Sequence, residues 1–232
     1  MKRALIIIDI QNDFCLGGPM AVHEGDQTVE VANRYARTFI QNGEPVVALQ
    51  DWHPADHGSF ASVSGEPVYT LGELNGLAQI WWPDNGIQGS QGADFHPGLD
   101  RSLFDAVFHK GQDQDVDSYS AFFDNGHRRK TELDSWLRER EITHLVVLGL
   151  ATDYCVKYSV LDALELGYQV EVVKEGCRGV NLNPEDNEIA FAQMTAPRRG
   201  ADIKKAGAKP AFFLPGEGRS TVDGECGSLS AG

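Results

Sequence analysis

Cys155 stands in the stretch GLATDYCV, just after the apolar run HLVVLGL and just before a segment with helical spacing. A thiol at a helix start gains from the free backbone N–H groups and from the helix dipole, both of which favour negative charge. A nucleophilic thiol needs a base. Asp9 is a candidate, because it ends the apolar run Ala4–Ile8. Lys110 ends the run Ala106–His109 and is placed to hold Asp9 ionised and Cys155 as thiolate. Each residue also has an ordinary reading: a buried inert thiol, a strand-end turn residue, a solvated surface lysine. For Cys15, Cys177 and Cys226 the inert reading is preferred. The stretch DWHPADH adds Asp51, His53 and His57. In an extended chain Asp51 and His53 point the same way, because side chains alternate. A carboxylate with imidazoles is a donor set for a divalent transition metal, although a loop of satisfied polar residues would carry the same letters.

Positioning these groups takes a set of strands with a common edge. Ala4–Ile8 and Pro45–Gln50 read as short buried strands, and Ala106–His109, His144–Leu150 and Gln169–Lys174 as further strands. Thr28–Ile40, Thr131–Glu141, Cys155–Leu166 and Pro184–Met194 read as helices, with Gly43 and Gly167 just past the ends of two of them. The alternation predicts a three-layer α/β/α fold around a mainly parallel sheet. In such sheets ligands bind beyond the carboxyl ends of the strands, where Asp9, Asp51, Lys110 and the Ala151–Cys155 turn all fall. Residues 52–100 show little periodicity but hold three of the four tryptophans, so they read as a functional excursion rather than a linker. The expected organisation is one domain over residues 1–214, followed by a disordered tail over 215–232. Within it, GADIKK is a weak edge strand near 200–205 and PAFFLPG a short apolar patch.

With 232 residues the chain can bury a substantial core, and its net charge is −14. Nucleic acid and anionic membranes call for a basic patch, so neither is an expected partner. No apolar run approaches the ~18 residues of a membrane span. The N-terminal run before Asp9 is shorter than the ~7–15 residues of a signal core. The expected setting is the cytoplasm with reduced thiols, as a monomer or homo-oligomer.

Four motifs together resemble a known family: IIIDIQNDFCLGG, QDWHPADHGSFAS, FHKGQDQDVDSYSAFFDNG and VLGLATDYCVKYSVLDALELGY. They are similar to those of bacterial nicotinamidases (pyrazinamidases), within the isochorismatase-like cysteine hydrolases. The likeness runs from about Lys2 to Met194. It implies an isochorismatase-like fold, hydrolysis of a small molecule, nicotinamide, to nicotinate and ammonia, and a place in pyridine nucleotide salvage. Residue by residue, it implies Cys155 as nucleophile, Asp9 as general base and Lys110 as the third catalytic residue. The backbone N–H groups of Ala151 and Cys155 would form an oxyanion hole beside a cis Leu150–Ala151 bond. Phe14, Trp82 and Tyr119 would line the ring pocket. Asp51 and His53 would hold one divalent metal, with zinc first and iron or manganese as alternatives. Where the family usually has histidine and cysteine, this chain has Asn85 and Gly86. The histidine is normally the third metal ligand, so weaker metal affinity is expected, with His57 or water in compensation. Two other readings stay open: a different small-amide hydrolase with little need of metal, and a non-catalytic decayed copy.

Overall fold

The structure is a computed structural model and describes residues 2–196. The Cys226 position, the GADIKK and PAFFLPG segments and the expected tail over 215–232 lie outside the described residues.

The first strand, β1 (Arg3–Ile8), is buried on both faces from Ala4 onward, as its run of isoleucines requires. Helix α1 (Gln27–Gln41) turns Val29, Ala32, Ala36 and Phe39 inward. It closes with Gly43 N–H on the Ile40 carbonyl and Glu44 N–H on the Phe39 carbonyl, the paired bonds of a Schellman cap. Strand β2 (Val46–Asp51) is buried throughout. The excursion that follows carries a one-turn helix α2 (Ala61–Ser64) and a hairpin of β3 (Leu71–Leu74) and β4 (Leu77–Ile80). Strand β5 (Ala106–Lys110), helix α3 (Leu133–Glu139) and strand β6 (His144–Leu150) come next. The chain then makes a π-helical turn over Thr152–Val156 and enters α4 (Lys157–Glu165), β7 (Gln169–Arg178) and α5 (Asp186–Thr195).

The main sheet has the order β5-β2-β1-β6-β7, with every pair parallel. This is the expected α/β architecture, with parallel strands joined through helices. Register carries the consequence for the site. Asp51 and Lys110 are direct partners across β2 and β5, and Ile8, the residue before Asp9, pairs with Leu49 on one side and Gly149 on the other. Gly149 is required there: a Cβ would lie 2.0 Å from the Ile8 carbonyl oxygen, and its φ is +130°. The sheet therefore closes tightly where β1 and β6 deliver their last residues.

Three differences from the sequence reading have local causes. The β3–β4 hairpin turns on Asn75 and Gly76, both at positive φ, as a two-residue hairpin turn demands. Strand β7 runs on to Arg178 because pairing resumes after a register shift, with Cys177 opposite Gly149. Cys155 lies inside the π-turn rather than at the first turn of an α-helix, with Val156 N–H reaching back to the Ala151 carbonyl at 3.1 Å.

Candidate active site

The carboxyl ends of β1, β2, β5 and β6 bring Asp9, Asp51, Lys110 and Cys155 together. Lys110 Nζ is 2.5 Å from Asp51 Oδ1, 2.8 Å from Asp9 Oδ2 and 3.3 Å from Cys155 Sγ, and it also donates to the Ser118 carbonyl at 3.1 Å. Lys110 is 2% exposed and Asp9 1% exposed. A buried ammonium needs such partners: burial alone would lower the Lys110 pKa, and the Asp51 and Asp9 carboxylates more than reverse that, holding it charged.

Asp9 sits at a φ of +49°, in the left-handed region that Asp tolerates better than most residues. Its contact with Lys110 is an ion pair out of hydrogen-bond alignment, so neither carboxylate oxygen has a directed hydrogen bond. Burial raises its pKa to about 7, partly opposed by Lys110 and reinforced by Asp51. The result is a base poised near neutrality, with Oδ2 paired to Lys110.

Burial also pushes the Cys155 thiol up, and Lys110 only partly counters this. The expectation of a preformed thiolate therefore gives way: the cost of burying the charge outweighs the lysine, and the thiol is the resting form. Cys15 and Cys177 are buried, and burial pushes each thiol up to about 12, in keeping with inert thiols.

A pocket opens beside Cys155. Phe14, Trp82 and Tyr119 all line it, as does Ala151, and the Leu150–Ala151 bond is cis. Trp82 meets Tyr154 edge to face at 4.9 Å and donates its indole N–H to the Tyr119 hydroxyl at 3.1 Å. Sequence reasoning missed Tyr154 and Asp117 in this lining. Tyr154 was within sight, next to the cysteine. Asp117 was one carboxylate among many in an acidic chain.

Asp51, His53 and Asn85 also line the pocket. His53 Nδ1 donates to the Gly111 carbonyl at 2.8 Å, which leaves Nε2 as a lone pair 3.7 Å from Asp51 Oδ1. His57 lies outside the lining. Its Nε2 faces the Val116 carbonyl at 3.3 Å and its Nδ1 accepts from Ser59, whose hydroxyl is at 2.7 Å, so both nitrogens are engaged. Burial lowers its pKa, keeping it neutral. Three groups among the described residues could hold a divalent metal: Asp9–Asp51–Cys155, His53–His57–Asp117 and Cys15–Asp26–His96. None of them gathers Asp51 and His53 with a third strong donor at the pocket, where the chain offers the neutral amide of Asn85. The donor set at the pocket wall is therefore one carboxylate, one imidazole and one neutral amide, a poor set for a transition metal.

Comparison with known proteins matches this picture. An isochorismatase domain matches residues 3–204. The chain is 60% identical to the nicotinamidase of Escherichia coli over 194 residues, 84% of this chain and 91% of that one. Its fold is similar to a solved nicotinamidase/pyrazinamidase of Acinetobacter, with a TM-score of 0.78 and 35% identity over 87% of this chain and 98% of that one. It is also similar to the pyrazinamidase of Pyrococcus horikoshii, solved with zinc, with a TM-score of 0.68 and 32% identity over 84% and 94% of the two chains. With its parallel sheet, its buried Asp–Lys–Cys cluster and these matches, the chain belongs to the isochorismatase-domain family.

Proposed function

We propose that the chain is a nicotinamidase, hydrolysing nicotinamide to nicotinate and ammonia within pyridine nucleotide salvage. The observation that carries this reading is the meeting of Cys155, Lys110 and Asp9 at the floor of an aromatic-lined pocket, in a chain so similar to a nicotinamidase.

The roles follow from the geometry. The substrate ring lies against Phe14, Trp82 and Tyr119, with its carboxamide carbon over Cys155 Sγ. Because the thiol is the resting form, Asp9 takes its proton as the sulfur attacks, forming the C–S bond. Lys110 lies against both carboxylates and faces the developing thiolate. The backbone N–H groups of Ala151 and Cys155 serve as the oxyanion hole, where one donor is typically worth roughly 2.7–4 kcal/mol. Asp9 returns its proton to the departing nitrogen as the C–N bond breaks, releasing ammonia. Water, deprotonated by the same carboxylate, attacks the thioester; the C–S bond breaks and Cys155 is reprotonated.

A divalent metal, if bound, would sit against Asp51 and His53, and zinc suits that carboxylate–imidazole pair best. With Asn85 as the third group the set is incomplete, so none of the steps above depends on it. The same substitution favours a second reading, a hydrolase of other small amides with little need of metal.

The test is ammonia release from nicotinamide and from other small amides, with and without added zinc, iron or manganese. Turnover that persists in a Cys155→Ala variant, or none with nicotinamide under any condition, would sink the proposal.

A further inference from the structure

Asn85 occupies a fixed and enclosed place. The following residue, Gly86, packs onto β2, where a Cβ would lie 2.8 Å from Asp51 Cβ, and its φ is +56°. A side chain there would force this segment off Asp51. Gly86 is pinned on both sides of its backbone: its N–H donates to Asp13 Oδ2 at 2.8 Å, and its carbonyl accepts from His53 N–H at 2.8 Å. Asn85 is therefore held at the pocket wall, 3% exposed. Its Nδ2 donates one hydrogen to the Pro83 carbonyl at 2.8 Å, which fixes which end of the amide is nitrogen. The second N–H takes no partner among the described residues.

Three of the neighbouring polar groups cannot do what this N–H can. Asp51 is a carboxylate that already accepts from Lys110. His53 spends its ring hydrogen on Gly111 and turns a lone pair inward. The Trp82 N–H is spent on Tyr119. An aza-aromatic ring nitrogen is a pure acceptor and needs a donor.

We infer that Asn85 is a specificity-determining residue of this chain: its free amide N–H donates directly to the ring nitrogen of the aromatic carboxamide. The inference rests on the nicotinamidase reading for its substrate. It makes Asn85 and Gly86 a matched pair, the glycine letting the segment close onto Asp51 and the asparagine supplying the donor. The rival donor of the wall is the Tyr154 hydroxyl, which is buried without a hydrogen-bond partner.

The experiment uses Cys155→Ala protein, so that ligands bind without turnover. Binding of nicotinamide and of benzamide, which lacks the ring nitrogen, is followed by tryptophan fluorescence before and after dialysis against EDTA. Nicotinamide should bind about five- to tenfold more tightly than benzamide, the scale of one buried neutral hydrogen bond, and EDTA should leave that ratio unchanged. Adding Asn85→Leu should bring the ratio to one, while Tyr154→Phe should leave it intact. Asn85→Asp, similar in shape but without an N–H to give, should also lose the preference in EDTA. The inference is overturned if the ratio survives both Asn85 variants, collapses on EDTA treatment, follows Tyr154→Phe, or is absent from the start. Ammonia release by the unsubstituted enzyme reads the other question separately. No release from nicotinamide defeats the catalytic reading, and an unchanged ratio in the Asn85 variants defeats this one.

Discussion

The two ends of the pocket are built differently. At the reacting end, Lys110 Nζ lies within 3.3 Å of Asp9, Asp51 and Cys155, and four different strand ends or turns supply the parts. At the other end, Asp51 and His53 line the pocket with the neutral amide of Asn85. The contrast shows which function tolerates substitution. Proton transfer needs a particular base beside a particular thiol, whereas ring recognition needs only one complementary group in the right place. Changes at the reacting end should therefore act on kcat, and changes at the ring end on KM.

The sharpest way to break this division is at the sulfur. Cys155→Ala should lower kcat by about 10⁴-fold or more with the fold intact, read by ammonia release and far-ultraviolet circular dichroism. Lys110→Met should reach beyond activity. It leaves the buried Asp9 and Asp51 carboxylates without their cation, at a cost of about 3–5 kcal/mol in a urea titration. A loss below 1 kcal/mol, on the order of an exposed pair, would mean that the cluster is not a buried ionic unit.

The pH dependence is a gentler probe. Asp9 must be ionised to accept the thiol proton, and its pKa is raised to about 7. Below that pH the protonated fraction grows, so kcat/KM should fall about tenfold per unit on the acid side. A profile flat down to pH 5 would show that Asp9 is not the base in the free enzyme. The smallest effect belongs to the pocket wall. Trp82→Phe removes the indole N–H from the Tyr119 hydroxyl and part of the ring contact, so KM for nicotinamide should rise about two- to tenfold while kcat barely moves. A drop confined to kcat would erase the distinction between the two ends.

Much of this arrangement was legible in the residues. The isoleucine-rich run before Asp9 is a covered strand, the apolar run before Lys110 is an edge strand with Val107 exposed, and alternation with helical segments set the parallel sheet. Strand ends then gave the common edge. Other features were hidden for physical reasons. The Asn75–Gly76 turn was a readable hairpin signal, but the flanking strands have four residues each and lie half open, so they lack a clean alternation. The π-turn around Cys155 leaves no mark in sequence, because its hydrogen bonds depend on how β6 ends. The protonation of Cys155 is not legible in local position: the helix start and the lysine favour the thiolate, whereas the burial that pushes the thiol up comes from packing.

The Lys110 contacts have a consequence for how this molecule reports on itself. The lysine is 45 residues from Cys155 along the chain and 59 from Asp51, and Asp9 reaches it from the first strand. No hairpin or helix alone could assemble that cluster, since its members arrive only when non-neighbouring parallel strands are zipped together. Cys155 is 8% exposed once they are. The pocket admits small reagents to Cys155 in the native fold, so the report on the sheet belongs to Cys177, 3% exposed on β7 opposite Gly149 of β6: in Cys155→Ala protein, alkylation at Cys177 should serve as a clock for opening of the central sheet, slow in the native protein and quickened by whatever parts β6 from β7.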